Sequence, residues 1–182
     1  MKVTRGLGIL WRRLTEQGLR VTAMWAADHA VRILTGAPIR QVSQITPHLH
    51  VGGQYRARGW PRMAARGITA VVNLRIDFDD ASAGIAPPEY LYLPTVDDHA
   101  PSLEYLSEGA LFIRGVVEKG GGVFVHCGSG IGRAATTAAA YFVSTGLTPE
   151  QAWARVRDVR PFIRPTTVQV EQLERFAAEK QG

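Results

Sequence analysis

Cys127 and Arg133 are the two residues whose types and spacing could do chemistry together. Between them lie Gly128, Ser129, Gly130, Ile131 and Gly132. An apolar run, Val123 to Val125, and then His126 precede them, and an alanine-rich stretch from Ala134 to Tyr141 follows. This order reads as strand, tight loop and helix N-terminus. A glycine-rich turn that opens a helix aims several backbone N–H groups into one hollow, and the helix dipole adds positive potential there. Such a hollow fits a phosphate-sized anion. Cys127 would form its floor, where that field favours a nucleophilic thiolate. Arg133 adds a planar fork able to hold two phosphate oxygens. A lone cysteine is often only a small buried hydrophobe, and an arginine six residues away arises easily by chance. The strand before, the glycines between and the helix formers after carry the reading as a phosphate pocket.

Thiolate attack on phosphorus expels an alkoxide or phenoxide, and that oxygen needs a proton. A carboxylic acid is therefore expected on a loop at the same sheet edge. The apolar stretch Tyr90 to Val96 delivers Asp97 and Asp98 into such a loop, with Asp97 thirty residues before the cysteine. Asp97 is the preferred acid and Asp98 the rival. The alternative is that both aspartates only sit in solvent near the next helix. No metal is called for, because Arg133 and the backbone amides neutralise the phosphate.

His-Cys, five residues and Arg resembles the signature of the cysteine-dependent protein tyrosine phosphatase superfamily. The Gly-Ile-Gly-Arg ending is similar to its dual-specificity branch. The resemblance implies a phosphocysteine intermediate, no cofactor, and a general acid that aligns with Thr95-Val96-Asp97. It gives His126 hydrogen bonds around the cysteine that help hold the thiolate, and it puts Arg164 near the site. It also shows a departure. Members usually carry Ser or Thr directly after the arginine, where a hydroxyl helps the sulfur leave in the second step; this chain has Ala134, with Thr136 and Ser129 as the nearby hydroxyls. Asp97, the run after Arg133 and Ile163-Arg164-Pro165 look most like the lipid-directed phosphatidylglycerophosphate phosphatase type. That type, however, has basic residues inside the signature loop, and this chain has none there. The expected substrate is accordingly a phosphorylated protein, with a phospholipid as the alternative. A weakly active phosphate-binding module is a third reading, suggested by Ala134.

The elements that must position these groups are legible in outline. Ile45 to Val51 alternates like a strand before Gly52-Gly53. Trp60 to Arg66 reads as a short helix. Ile68 to Arg75 is a nearly continuous apolar run, the look of a central buried strand; Arg75 could line the site or pair with Asp77 or Asp79. A helix begins near Leu103 with Ser102 as its N-cap, and Leu103, Leu106, Leu111 and Val116 are its candidate core positions. Thr148-Pro-Glu-Gln151 opens another helix, and Thr167 to Lys180 is the last. The expected fold is α/β: a mostly parallel sheet of about four to five strands, helices on both faces, and the nucleophile loop at the carboxyl end of a strand. His48 and His50 are expected on a strand face, not as metal ligands.

The chain has 182 residues, one cysteine and a net charge of +5. That length suits one main domain, and a single thiol excludes an internal disulfide and favours a reducing compartment. Residues 1–40 hold seven Lys and Arg against two Asp and Glu, so all of the net charge falls there. They are read as an amphipathic helical arm, and residues 41–182 as the phosphatase domain. Leu7, Leu10, Trp11 and Leu14, then Met24, Ala27, Val31 and Leu34 after Gly18, mark an apolar stripe. The arm is expected to pack on the domain, with docking on an anionic membrane as the competing role. Nucleic acid is not expected as a partner. The expected location is cytoplasmic, or peripheral at the inner membrane surface.

Overall fold

A computed structural model describes residues 2–181, with the side chains of residues 1–7, 9, 10 and 181 outside the description. The expectations for Leu7 and Leu10 fall on those side chains and so lie outside the described residues.

The chain opens with α1, Lys2–Thr35, which breaks at Gly18, where the backbone leaves helical geometry at φ 79°. Glycine tolerates that angle without a Cβ clash. There follow β1 (Leu49–Gly53), α2 (Trp60–Ala64), β2 (Ile68–Arg75), β3 (Glu89–Thr95), α3 (Leu103–Glu118), β4 (Gly122–Cys127), α4 (Arg133–Ser144), α5 (Pro149–Val159) and α6 (Thr167–Gln181). The four strands form one sheet in the order β1-β4-β2-β3, all parallel. The central pair is β4 and β2. Their side chains alternate between two buried faces, so both strands read as apolar runs. Val123, Val125 and Cys127 face the larger core with α4, while Phe124 packs with Tyr55, Met63 and Val71 on the other side.

Helix α4 fits closely against the sheet because Ala134, Ala135, Ala138, Ala139 and Ala140 are all fully buried. Its short side chains bring the helix backbone, and with it Arg133, near the strand ends. Ser102 caps α3 by accepting from the Tyr105 N–H at 3.1 Å. Thr148 and Gln151 form a capping box on α5.

Three expectations change. Residues 45–48 are not strand: Ile45 and Thr46 N–H groups both donate to the Leu49 carbonyl, and Pro47 has no N–H for a ladder. Leu111 is 64% exposed, because the buried stripe of α3 runs through Leu106, Gly109, Ala110, Ile113 and Val116 and leaves position 111 on the far side. The third change concerns α1. The inward face of this helix is polar: Arg13, Thr22, Asp28 and Arg32 are buried, while Trp11, Leu19, Ile33 and Leu34 are exposed. The polar groups find partners on the domain, which is why they win over the apolar stripe. Arg32 donates to the Gln54 carbonyl at 2.8 Å, Glu16 pairs with Arg164 at 2.5 Å, and Asp28 meets Arg160 at 3.3 Å.

Candidate active site

Strand β4 ends at Cys127, and the chain turns through Gly128–Gly132 into the N-terminus of α4. The Gly130 N–H donates to Cys127 Sγ at 3.3 Å. That contact requires Gly130 at φ 68° against β1, where an added Cβ would lie 2.2 Å from the Gly52 carbonyl carbon. Only glycine closes the loop this way. Cys127 is 3% exposed, beside the Gly130 N–H and close in sequence to the N-terminus of α4, an environment that favours an anion.

Arg133 is buried and links three segments. Its Nη1 donates to the carbonyls of Leu74, on β2, and Thr95, on β3, at 3.2 and 2.6 Å; its Nη2 donates to Asp97 Oδ1 at 2.6 Å. Nε is buried with no hydrogen-bond partner, a donor that a phosphate oxygen would satisfy. The sequence therefore placed Cys127, Arg133 and Asp97 in one neighbourhood, and the fold brings them there. Asp97 is 82% exposed at its side chain, open to substrate and water. Asp98 has no such bond to Arg133: it adopts a left-handed backbone at φ 61°, and its carbonyl accepts from the Thr166 hydroxyl at 3.0 Å. The acid loop is pinned to α6, since Gln169 and Gln172 amides donate to the carbonyls of His99 and Pro101.

The supporting residues are distributed differently from expectation. His126 does not bond around the cysteine. Its Nε2 lies 2.7 Å from Asp80 Oδ2, its Nδ1 has no partner, and its ring stacks on Phe124. Alternation along β4 explains this, because Cys127 and His126 face opposite sides of the sheet. The Thr136 hydroxyl is turned back to the Gly132 carbonyl at 3.1 Å. Ser129 is half-buried beside the loop, and its carbonyl is held by Arg160. The Arg164 side chain pairs with Glu16, and only its backbone N–H touches the loop, donating to Ile131 at 2.7 Å. Arg75 pairs with Asp77 and donates to Gln54 Oε1 at 3.1 Å; the hydrogen bond from Arg75 holds the Asp77 carboxyl below its ordinary pKa.

Arg160 was not singled out by the sequence reading, and the loop depends on it. It is fully buried and donates to the carbonyls of Gly130 at 2.7 Å, Ser129 at 3.0 Å and Val42 at 2.8 Å. Holding the Gly130 and Ser129 carbonyls fixes the turn that aims the Gly130 N–H at the sulfur. Burial disfavours the charge on Arg160, and Asp28 opposes that. Asp28 Oδ1 also accepts from the Ile39 N–H at 3.0 Å. An arginine in a turn and an aspartate on a helix have no periodic signature, so neither role shows in the chain.

Comparison with known proteins agrees with this geometry. The dual specificity phosphatase catalytic domain matches residues 49–179. Mouse dual specificity protein phosphatase 14 is 35% identical over 140 residues, which cover 75% of this chain and 69% of that protein. The crystal structure of Tk-PTP in the active form superposes with a TM-score of 0.66 at 28% identity, over 76% of this chain and 97% of the other. PTPMT1 in complex with PI(5)P shares the fold, with a TM-score of 0.67 at 24% identity over 75% of this chain and 94% of the other. The domain match spans most of the chain and the mouse relative is more than 30% identical over two thirds of its own length, so the chain belongs to the dual-specificity branch of the cysteine-dependent protein tyrosine phosphatases.

Proposed function

We propose that this dual-specificity-type phosphatase hydrolyses phosphomonoesters in two steps through Cys127. The thiolate attacks phosphorus while Arg133 holds two phosphate oxygens through Nε and Nη2. The ester P–O bond breaks, Asp97 gives its proton to the departing oxygen, and phosphate stays on sulfur. In the second step ionised Asp97 takes a proton from water as that water attacks phosphorus. The P–S bond breaks, and inorganic phosphate leaves. Positive charge from Arg133 and the loop amides lowers both barriers, because it is fixed before the reaction begins. The observation that carries this reading is the bonded set Gly130 N–H to Cys127 Sγ and Arg133 to Asp97.

The first substrate class is a phosphorylated Ser, Thr or Tyr side chain. A second reading, a phosphorylated lipid head group, is favoured by a specific observation. Four of the large apolar side chains exposed on the surface, Trp11, Leu19, Ile33 and Leu34, belong to α1, which carries six Lys and Arg against two Asp and Glu. Exposed apolar groups beside arginines suit an anionic membrane surface. The related PTPMT1 crystallised with the lipid-type ligand PI(5)P. The proposed contact is peripheral, through residues 1–40, and the proposed location is the cytoplasm or the inner membrane face; no described helix is long and apolar enough to cross a membrane. The test is hydrolysis of 4-nitrophenyl phosphate by the full chain and by Cys127→Ser. Turnover by the first and background by the second is expected; equal rates would refute the assignment.

A further inference from the structure

Helices α5 and α6 open on the same pattern, Thr-x-x-Gln, from Thr148 to Gln151 and from Thr166 to Gln169. In α5 the pattern is a complete capping box at the surface. Thr148 accepts from the Gln151 N–H, Gln151 Oε1 accepts from the Thr148 N–H, and both residues are exposed. In α6 half of the box is turned elsewhere. Gln169 Oε1 accepts from the Thr166 N–H at 3.0 Å, but the Thr166 hydroxyl donates away from the helix, to the Asp98 carbonyl at 3.0 Å. The Gln169 amide also donates outward, from Nε2 to the His99 carbonyl at 2.9 Å. A box that only caps a helix works in water. Gln169 is instead 1% exposed, a depth that a glutamine reaches when both ends of its amide are bonded.

The amide is buried against Gly132, the last residue of the catalytic loop. A Cβ added to Gly132 would lie 2.7 Å from Gln169 Oε1 and 3.1 Å from Nε2. One residue earlier, the Ile131 carbonyl accepts from the Arg164 N–H at 2.7 Å. Residues 164–172 therefore meet the catalytic loop at Ile131 and Gly132. They meet the acid loop at Asp98, His99 and, through Gln172 Nε2 at 3.0 Å, Pro101. The acid loop needs such a hold. Its strand stops at Thr95, and the Asp97 side chain is mostly in solvent. Asp98 sits at φ 61°, a backbone state that a residue with a Cβ keeps only where its surroundings impose it.

We propose that Gln169 is a positioning residue for proton transfer: it fixes the acid loop against the catalytic loop, so that Asp97 meets the leaving oxygen of a phosphate held by Cys127 and Arg133. The proposal rests on Asp97 being the general acid. Gln169 acts through the His99 carbonyl on one side and Gly132 on the other, and Thr166 assists through Asp98. Its loss therefore imitates the loss of the acid while the carboxyl itself remains in the chain. Loss of an acid is felt most by leaving groups that depart poorly without a proton.

The test measures kcat/KM on 4-nitrophenyl phosphate, phenyl phosphate and an alkyl phosphate, three leaving groups of falling acidity, for the wild type, Gln169→Met, Asp97→Asn and the double variant. Methionine is unbranched like glutamine and fills the same space, but makes neither hydrogen bond. Gln169→Met is expected to lose at least about tenfold on the poorest leaving group that the wild type turns over and less than about threefold on 4-nitrophenyl phosphate. Competitive inhibition by inorganic phosphate, which reads the cradle of Cys127 and Arg133, should stay at the wild-type value. The double variant should be no slower than Asp97→Asn alone, because misplacing an acid costs nothing once the acid is gone. Thr166→Val removes only the hydroxyl that holds Asp98 and should steepen the leaving-group dependence in the same direction; it carries the test if Gln169→Met does not fold. Glu171→Ala, at an exposed position of the same helix, should leave that dependence unchanged. Equal losses on all leaving groups, or losses that multiply in the double variant, overturn the proposal and mark Gln169 as support for the fold alone. A wild-type leaving-group dependence in Asp97→Asn would instead overturn Asp97 as the acid, and the role of Gln169 with it.

Discussion

Asp97 and Asp98 are neighbours in sequence with different environments. Asp97 faces the guanidinium of Arg133, whereas Asp98 is turned into the left-handed region and joined to Thr166 through its carbonyl. An acid that protonates a leaving group matters more when that group is a poor one. Asp97→Asn should slow an alkyl phosphate by about 100-fold or more and an aryl phosphate by much less; Asp98→Asn should do neither. Steady-state rates on the two substrates check this, and the reverse pattern would move the acid to Asp98. Ala134 allows a second prediction at this scale. Its fully buried Cβ opens α4 directly after Arg133, and the Thr136 hydroxyl is committed to the Gly132 carbonyl. Ala134→Ser would supply a hydrogen bond worth about 1 kcal/mol to the departing sulfur, so breakdown of phosphocysteine should quicken by roughly fivefold. A smaller burst relative to the steady rate in rapid-mixing kinetics is the expected sign.

Among the elements, α1 departs most from its sequence reading. Its apolar spacing suggested a stripe pressed onto the domain, yet it turns charged residues inward. Pattern alone could not show this, because Arg13, Asp28 and Arg32 reach two carbonyls, a backbone N–H and an arginine that lie between 11 and 149 residues away. Asp28 bears on the catalytic loop through Arg160. Breaking a buried pair by removing one partner costs about 3 to 5 kcal/mol. Asp28→Asn should therefore lower the urea midpoint, and it should lower kcat on soluble aryl phosphate as the Ser129 and Gly130 carbonyls loosen. Deleting residues 1–40 should likewise reduce kcat on that soluble substrate. If the truncated chain keeps full rate, α1 is only an attachment. Strands β2 to β4 and helices α3 to α6 were more readable: continuous apolar runs, Ser102, and Thr148 with Gln151 announce them within a residue or two. The nucleophile loop was readable for a related reason, because its chemistry and its turn are contiguous in the chain. Asp80, Arg160 and Gln169 act across long sequence distances, so their parts emerge only from the fold.

The whole molecule carries a buried imidazole that bears on acid stability. His50 lies in β1 at 0% exposure, and neither ring nitrogen has a hydrogen-bond partner. Burial first, and then the nearby Arg66 and Arg40, push its pKa down to about 4. The unfolded chain titrates this group near the ordinary value of about 6.5, so below that pH the unfolded state binds a proton that the folded state refuses. Stability is fully present above about pH 6.5 and falls as the pH drops toward 4, by an amount on the order of 3 kcal/mol. Asp79, held down to about 2 chiefly by Ser82 and Tyr90, adds a later loss that starts only below about pH 4. Urea midpoints across pH 7 to 4.5 should fall for the wild type and fall less for His50→Gln; parallel curves would place the acid sensitivity elsewhere.

The account as a whole depends on sulfur becoming bonded to phosphorus during turnover. Acid quenching of the enzyme with excess aryl phosphate, followed by mass analysis of its peptides, reads that bond directly. A phosphate mass on the peptide containing Cys127, more persistent in Asp97→Asn and absent in Cys127→Ser, is the predicted result. Turnover with no such adduct in a quench fast enough to catch the burst, or with activity retained by Cys127→Ser, would contradict it.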